Sequence, residues 1–106
     1  MAKFLLTANY TQSGMQGLLQ EGGSKRREAL TQTIEGVGGS LESFYYAVGD
    51  TDLFMIADLP DQETAVAVSM IINSAGVLEL TFTELIEPES VDAASRKTVT
   101  YRLPGS

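Results

Sequence analysis

The chain contains no cysteine and no histidine, and these two absences remove more chemistry than any motif in it adds. Without thiols there is no disulfide frame, no thiolate nucleophile and no zinc–sulfur site. Without imidazole there is no Ser-His-Asp triad, no histidine ligand for zinc or haem, and no ordinary base for neutral pH. Acid–base work would fall to Asp, Glu, Tyr or Lys. Positive charge is also scarce, with 7 Lys and Arg against 14 Asp and Glu and a formal charge of −7. An acidic surface of this kind repels phosphate backbones, so neither nucleic acid nor an anionic membrane is expected as a partner. The single basic cluster, Lys25-Arg26-Arg27, is too short to reverse that. Long apolar runs are missing as well. The opening "MAKFLLTANY" holds only Phe4 to Leu6 as a strongly apolar stretch, which makes neither a signal peptide nor a membrane span. A cytoplasmic protein is the expectation.

What remains is the composition of a globular protein, 43% hydrophobic and 20% charged over 106 residues, which predicts one domain with one modest core. No internal repeat or low-complexity tract divides it. Residues 3–10 read as a strand. Two helical stripes follow, Met15, Leu18 and Leu19, then Leu30, Thr33, Ile34 and Val37. Gly22-Gly23 interrupts them, Ser24 is the expected N-cap of the second piece, and Gly38-Gly39 closes it. Residues 40–48 and 52–59 alternate as a strand pair. Asp61 after Pro60 predicts an N-cap, and the helix it opens, with Ala65, Val68, Ile72 and Ala75 on one side and Ala67 and Ile71 widening the stripe, is expected to be well buried. Gly76 stops it and 77–86 is a fourth strand. The last part, 88–106, is read as a short helix from about Glu89 to Lys97 and an extended tail.

This order, β-α-β-β-α-β, predicts an α+β ferredoxin-like fold: a four-stranded antiparallel sheet with its helices on one face. Even-length hairpin pairing places Phe44, Tyr46, Val48, Leu53, Met55, Ala57 and Leu59 under the helices, joined by Phe4, Leu6, Ala8, Leu78, Leu80 and Phe82. The opposite face then carries Leu5, Tyr45, Phe54 and Ile56 among Thr7, Asn9, Ser43, Asp52, Asp58, Thr81, Thr83 and Leu85. A solvated face does not need four large apolar residues along its middle. Such a patch marks an interface, and the expected occupant is a second copy, giving a dimeric α+β barrel through that face. Met15, Met55 and Met70 are read as core filler.

"LESFYYAVGDTDLFMIADLPD" and "EGGSKRREAL" resemble the GYD-domain family of small bacterial proteins, over nearly the whole chain. Members tend to show a glycine, one variable residue and then Tyr-Asp at the start of the third strand. Here those positions are Gly49, Asp50, Thr51 and Asp52, so Thr51 stands where the tyrosine would be. The resemblance implies a dimeric α+β barrel of the kind shared by small cofactor-free monooxygenases and many ligand-binding modules, with no biochemical role attached to the family itself.

Three constellations are candidates for chemistry. The Asp50-Thr51-Asp52 tip presents two carboxylates, but too few oxygens for Mg²⁺ or Ca²⁺, and Gly and Asp are what a tight turn requires, so no metal is expected. Tyr45 and Asp52 share the open face and could act as an acid–base pair with Asn9 orienting a ligand carbonyl; the competing reading is an interfacial tyrosine hydrogen-bonded to an aspartate. Arg26 and Arg27 beside Gly22-Gly23 could hold a carboxylate or phosphate, against a kinked helix carrying solvated arginines. The ligand-binding candidates are therefore Asn9, Tyr45, Asp52, Arg26 and Arg27, with no cofactor. The expected function is a homo-oligomeric domain that binds a small organic ligand or serves assembly. The alternative is a cofactor-independent oxygenase, isomerase or lyase using Tyr45 and Asp52 to handle protons.

Overall fold

A computed structural model describes residues 1–106. Strand β1 (Ala2–Tyr10) runs into helices α1 (Gln12–Glu21) and α2 (Gly23–Gly36), then strands β2 (Ser40–Tyr46) and β3 (Leu53–Leu59), helix α3 (Gln62–Ser74), strand β4 (Leu78–Leu85) and helix α4 (Pro88–Ser95). The sheet order is β2-β3-β1-β4 with every neighbouring pair antiparallel. This is the ferredoxin-like arrangement that the element order predicts.

Period-two alternation sets which side is buried. Along β3 each alternate residue, Leu53, Met55, Ala57 and Leu59, is fully enclosed, and Phe4, Leu6, Ala8, Leu78 and Leu80 join them from the flanking strands. Leu30 and Ile34 of α2 and Ala65 and Val68 of α3 close the core from above. Phe82 packs edge-on to Phe4 with ring centroids 6.0 Å apart.

The helix boundaries have local causes. Thr11 caps α1 by accepting from Gly14 N, and Asp61 caps α3 by accepting from Thr64 N at 2.8 Å. At the break between α1 and α2 the chain takes φ +89° at Gly22, a left-handed value that glycine adopts freely. Gly22 is consequently the N-cap of α2, and Ser24 lies inside the helix instead of capping it. Near the opposite end, Asn73 locks α3 to β4, donating from Nδ2 to Leu80 O and accepting from Leu80 N, at 3.0 and 2.7 Å.

Four packing expectations need correction. Helix α3 is not well buried: Ala67 is exposed, as are Val66, Met70 and Ile71, because apolar residues run almost all round it and the sheet covers only one side. Of the three methionines, only Met55 is core; Met15 and Met70 reach solvent. Val48 is fully exposed, since β2 ends at Tyr46 and the chain from Ala47 to Asp52 is a six-residue loop. Tyr46 sits at the rim of the core and not within it.

Candidate functional site

The strand registers resolve the uncovered sheet face into four rows. At one end Asp58, Lys3 and Leu85 lie side by side across β3, β1 and β4. Glu42 is the extra residue of a bulge between Leu41 and Ser43. Its carboxylate meets the Lys3 ammonium, which also lies 3.3 Å from Asp58, so one cation serves two acids and its own pKa is raised, first by the Glu42 hydrogen bond. The second row is Ser43, Ile56, Leu5 and Thr83, and the third is Tyr45, Phe54, Thr7 and Thr81. Beyond it lie Asp52, Asn9 and Glu79.

The middle two rows form an apolar strip over β2, β3 and β1, with threonine hydroxyls over β1 and β4. Tyr45 is 69% exposed and Phe54 39%, while Leu5 and Ile56 are half-buried by their neighbours. No helix or loop lies over them. The alternation of each strand that builds the core on one side builds this strip on the other, and the Glu42 bulge keeps both Leu41 and Phe44 on the helix side.

In the last row, the Asp52 carboxylate accepts from the backbone N–H of Tyr10 at 2.9 Å, and the Asp52 N–H donates to Asn9 Oδ1 at 2.9 Å and to Ala8 O at 3.1 Å. Ala47 N donates in turn to Asp52 O at 2.8 Å. Asp52 and Asn9 thus tie the end of β1 to the start of β3. The structure brings these two candidates together, and it places Tyr45 diagonally across from Asp52 with no hydrogen bond between them. The two acids of the tip also separate, Asp52 turning back to β1 while Asp50 stays in the exposed loop.

Arg26 and Arg27 stand apart from this face, at the corner where α2 begins. Arg26 is 3.8 Å from Glu21 across the helix break, and Arg27 is exposed along the outer side of β2. Tyr46, expected in the core, instead centres this corner: it donates its hydroxyl to Gly23 O at 3.1 Å, and its ring stands edge-on to Phe44 at 5.2 Å. A Cβ at Gly23 would lie 2.9 Å from that ring, so the glycine pair serves the tyrosine as well as the kink. The doubled glycine before a tyrosine-bearing strand was the only available signal.

Burial of the Tyr46 phenol, and then the neighbouring Tyr10 hydroxyl, pushes its pKa up from 10.0 to about 12, with Arg26 and Arg27 pulling the other way. The neutral phenol is the form that the fold favours. Its stabilisation is fully present below pH 10 and is lost as pH rises through about 12. Ultraviolet titration of tyrosinate absorbance should therefore show a late step near pH 12, and Tyr46→Phe should remove it.

A family model for the GYD domain matches residues 4–94. The chain belongs to the GYD-domain family. No curated protein and no solved structure is detectably similar to it. The family match takes in β1 through nearly all of α4, so the sheet face, the Asp52–Asn9 tie and the tyrosine–arginine corner all fall within the GYD domain. No helix is long and apolar enough to cross a membrane.

Proposed function

We propose that this GYD domain pairs with a second copy through its open sheet face and holds a small, largely apolar organic molecule between the two sheets. The observation that carries the reading is the uncovered strip of Leu5, Tyr45, Phe54 and Ile56, flanked by the hydroxyls of Thr7, Thr81 and Thr83. Complete burial of such side chains contributes about 1.5–3 kcal/mol each before the costs of association. The charged row at one end, with Lys3 between two acids, and the carboxylate–amide row at the other bound the strip with polar groups, as a rim bounds an interface core. A ligand seated between two copies would find an apolar floor and hydroxyl donors at its edge, the usual make-up of a small-molecule site.

Arg26 and Arg27 lie outside this site and are assigned to the helix corner. Asn9 and Asp52 form its end wall, and Tyr45 supplies a phenol free to bond a ligand or the partner. No separate observation favours proton transfer by Tyr45 and Asp52: no hydrogen bond joins them, and one oxygen of the Asp52 carboxylate serves the backbone N–H of Tyr10.

Phe54→Lys tests the reading. An ammonium in the middle of the strip would have to be desolvated on pairing, so the dimer should weaken roughly a hundredfold or more, about 2.7 kcal/mol. Because Phe54 faces away from the core, far-UV circular dichroism should be unchanged. A variant that associates like the native chain would remove the sheet face from the interface.

A further inference from the structure

The C-terminal segment does not pack on its own domain. No residue of α4 is buried, and every residue from 96 to 106 is exposed, including Val99, Tyr101 and Leu103. The molecule measures 58 × 34 × 24 Å with a radius of gyration of 17.3 Å, where a compact chain of this length would have about 13 Å. The family match ends at residue 94, so the segment lies beyond the shared domain. Its sequence, "KTVTYRL", is nevertheless that of a strand: β-branched and aromatic residues dominate, and Val99, Tyr101 and Leu103 alternate with Thr98, Thr100 and Arg102.

Charge divides in the same place. Residues 96–106 carry Arg96, Lys97 and Arg102 and no acidic side chain, a charge of +3; residues 1–95 carry 4 cations and 14 acids, 4 − 14 = −10. An arm that is basic and apolar by turns is thus joined to an acidic body.

The body has a matching place for it. Beside β4, an edge strand, an open groove of about 490 Å³ is lined by Phe4, Val66, Met70, Leu80, Phe82 and Glu84. Val66 and Met70 are two of the exposed apolar residues of α3 that the four-stranded sheet leaves uncovered. A fifth strand would lie about 4.8 Å beyond β4, filling the groove with every second side chain. Asn73 fixes how far it could run. By bonding both N–H and C=O of Leu80 it closes the β4 edge there, while alternation leaves the backbone groups of Phe82 and Glu84 on the same outer edge with no side chain meeting them. The other edge, β2, is bulged at Glu42 and bordered by Arg27, which suits a basic arm poorly.

We propose that the segment around Thr98–Leu103 is an exchange arm: it adds as a short antiparallel strand to the β4 edge of a second copy, Tyr101 opposite Phe82 and Val99 opposite Glu84, with these two side chains in the groove and Leu103 beyond the paired stretch, where Asn73 closes the edge. Strand addition of this kind takes affinity from backbone hydrogen bonds and specificity from alternate side-chain pockets. Edge and face are different surfaces, so the arm does not depend on sheet-face pairing; the two contacts together would make a closed, reciprocal dimer.

The absence of cysteine makes the test clean. Chains carrying Thr100→Cys are mixed with chains carrying Thr83→Cys under mild oxidation, and a chain with both substitutions is oxidised alone at low concentration. The expected result is a mixed disulfide formed in several-fold excess over either homodisulfide, suppressed about tenfold by adding Tyr101→Asp to the arm. Tyr101 is exposed in the tail, so that change leaves the domain folded. Mixed disulfides no more abundant than homodisulfides would overturn the proposal, as would efficient closure within the doubly substituted chain, which would place the arm on its own β4. Repeating the mixture in Phe54→Lys chains tells failure of the arm from failure of the face.

Discussion

Gly14→Ala should cost this domain about 3 kcal/mol or more and lower its Tm by roughly 10–20 °C. Gly14 is buried in the first turn of α1, where a Cβ would stand 1.9 Å from Val77 O and 2.8 Å from Val77 C. Both are backbone atoms, so no rotamer change relieves the overlap. The closeness is built in by hydrogen bonds: Thr11 N donates to Val77 O at 3.2 Å, and Thr11 Oγ1 donates to Gly76 O at 2.7 Å. Admitting a methyl group therefore means parting α1 from the turn between α3 and β4 and losing those bonds too. Gly49→Ala is the control. Gly49 lies outside the positive-φ region and a Cβ there meets nothing within 4 Å, so its effect should stay within about 0.5 kcal/mol. Thermal unfolding of the two variants beside the native chain checks both; equal losses would mean that close approach is not what Gly14 provides.

Asp52→Ala should destabilise the domain by about 2 kcal/mol. The substitution strips the Tyr10 N–H of its charged acceptor at a part-buried position. Asn9 Oδ1 would still hold the residue-52 N–H, since that bond uses backbone, so the loop should loosen at β1 and not detach. Hydrogen exchange at the Tyr10 amide reads this locally, and denaturant unfolding reads the total. Asp52→Asn, which keeps an oxygen acceptor, should recover a large part of the loss. If Asp52→Ala leaves stability unchanged, the tie is not structural and the carboxylate regains its claim to chemistry.

The two faces of the sheet were legible in the sequence because strand alternation has a period of two and the hairpin loop has even length; one slipped residue would have exchanged every assignment. Residues such as Met55 and Leu6, with an apolar neighbour set on both flanking strands, could be placed without coordinates. Asp61 and Gly76 announced the ends of α3 for equally local reasons. Other features were not legible, because they depend on what lies across from them. Nothing in "EGGSKRR" says that Gly22 caps α2 and Gly23 makes room for the Tyr46 ring. Helix α3 reads as buried because its apolar residues exceed one stripe, yet only a sheet of known width shows that Val66 and Met70 overhang its edge. Asp52 and Tyr45 do share a face, as expected, but a carboxylate that reaches across to the backbone N–H at the end of the neighbouring strand has no signature in spacing. At the hairpin tip the pattern of glycine and acids suggests a tight turn, whereas the chain makes a longer loop in which Gly49 needs no special backbone angle.

The proposed use of the sheet face turns on whether the strip is covered in solution. Sedimentation equilibrium of the native chain, from low micromolar to submillimolar concentration, tests this most directly. Face-to-face pairing predicts a reversible shift to twice the 11.4 kDa of one chain. A single species of one-chain mass across the whole range would contradict it.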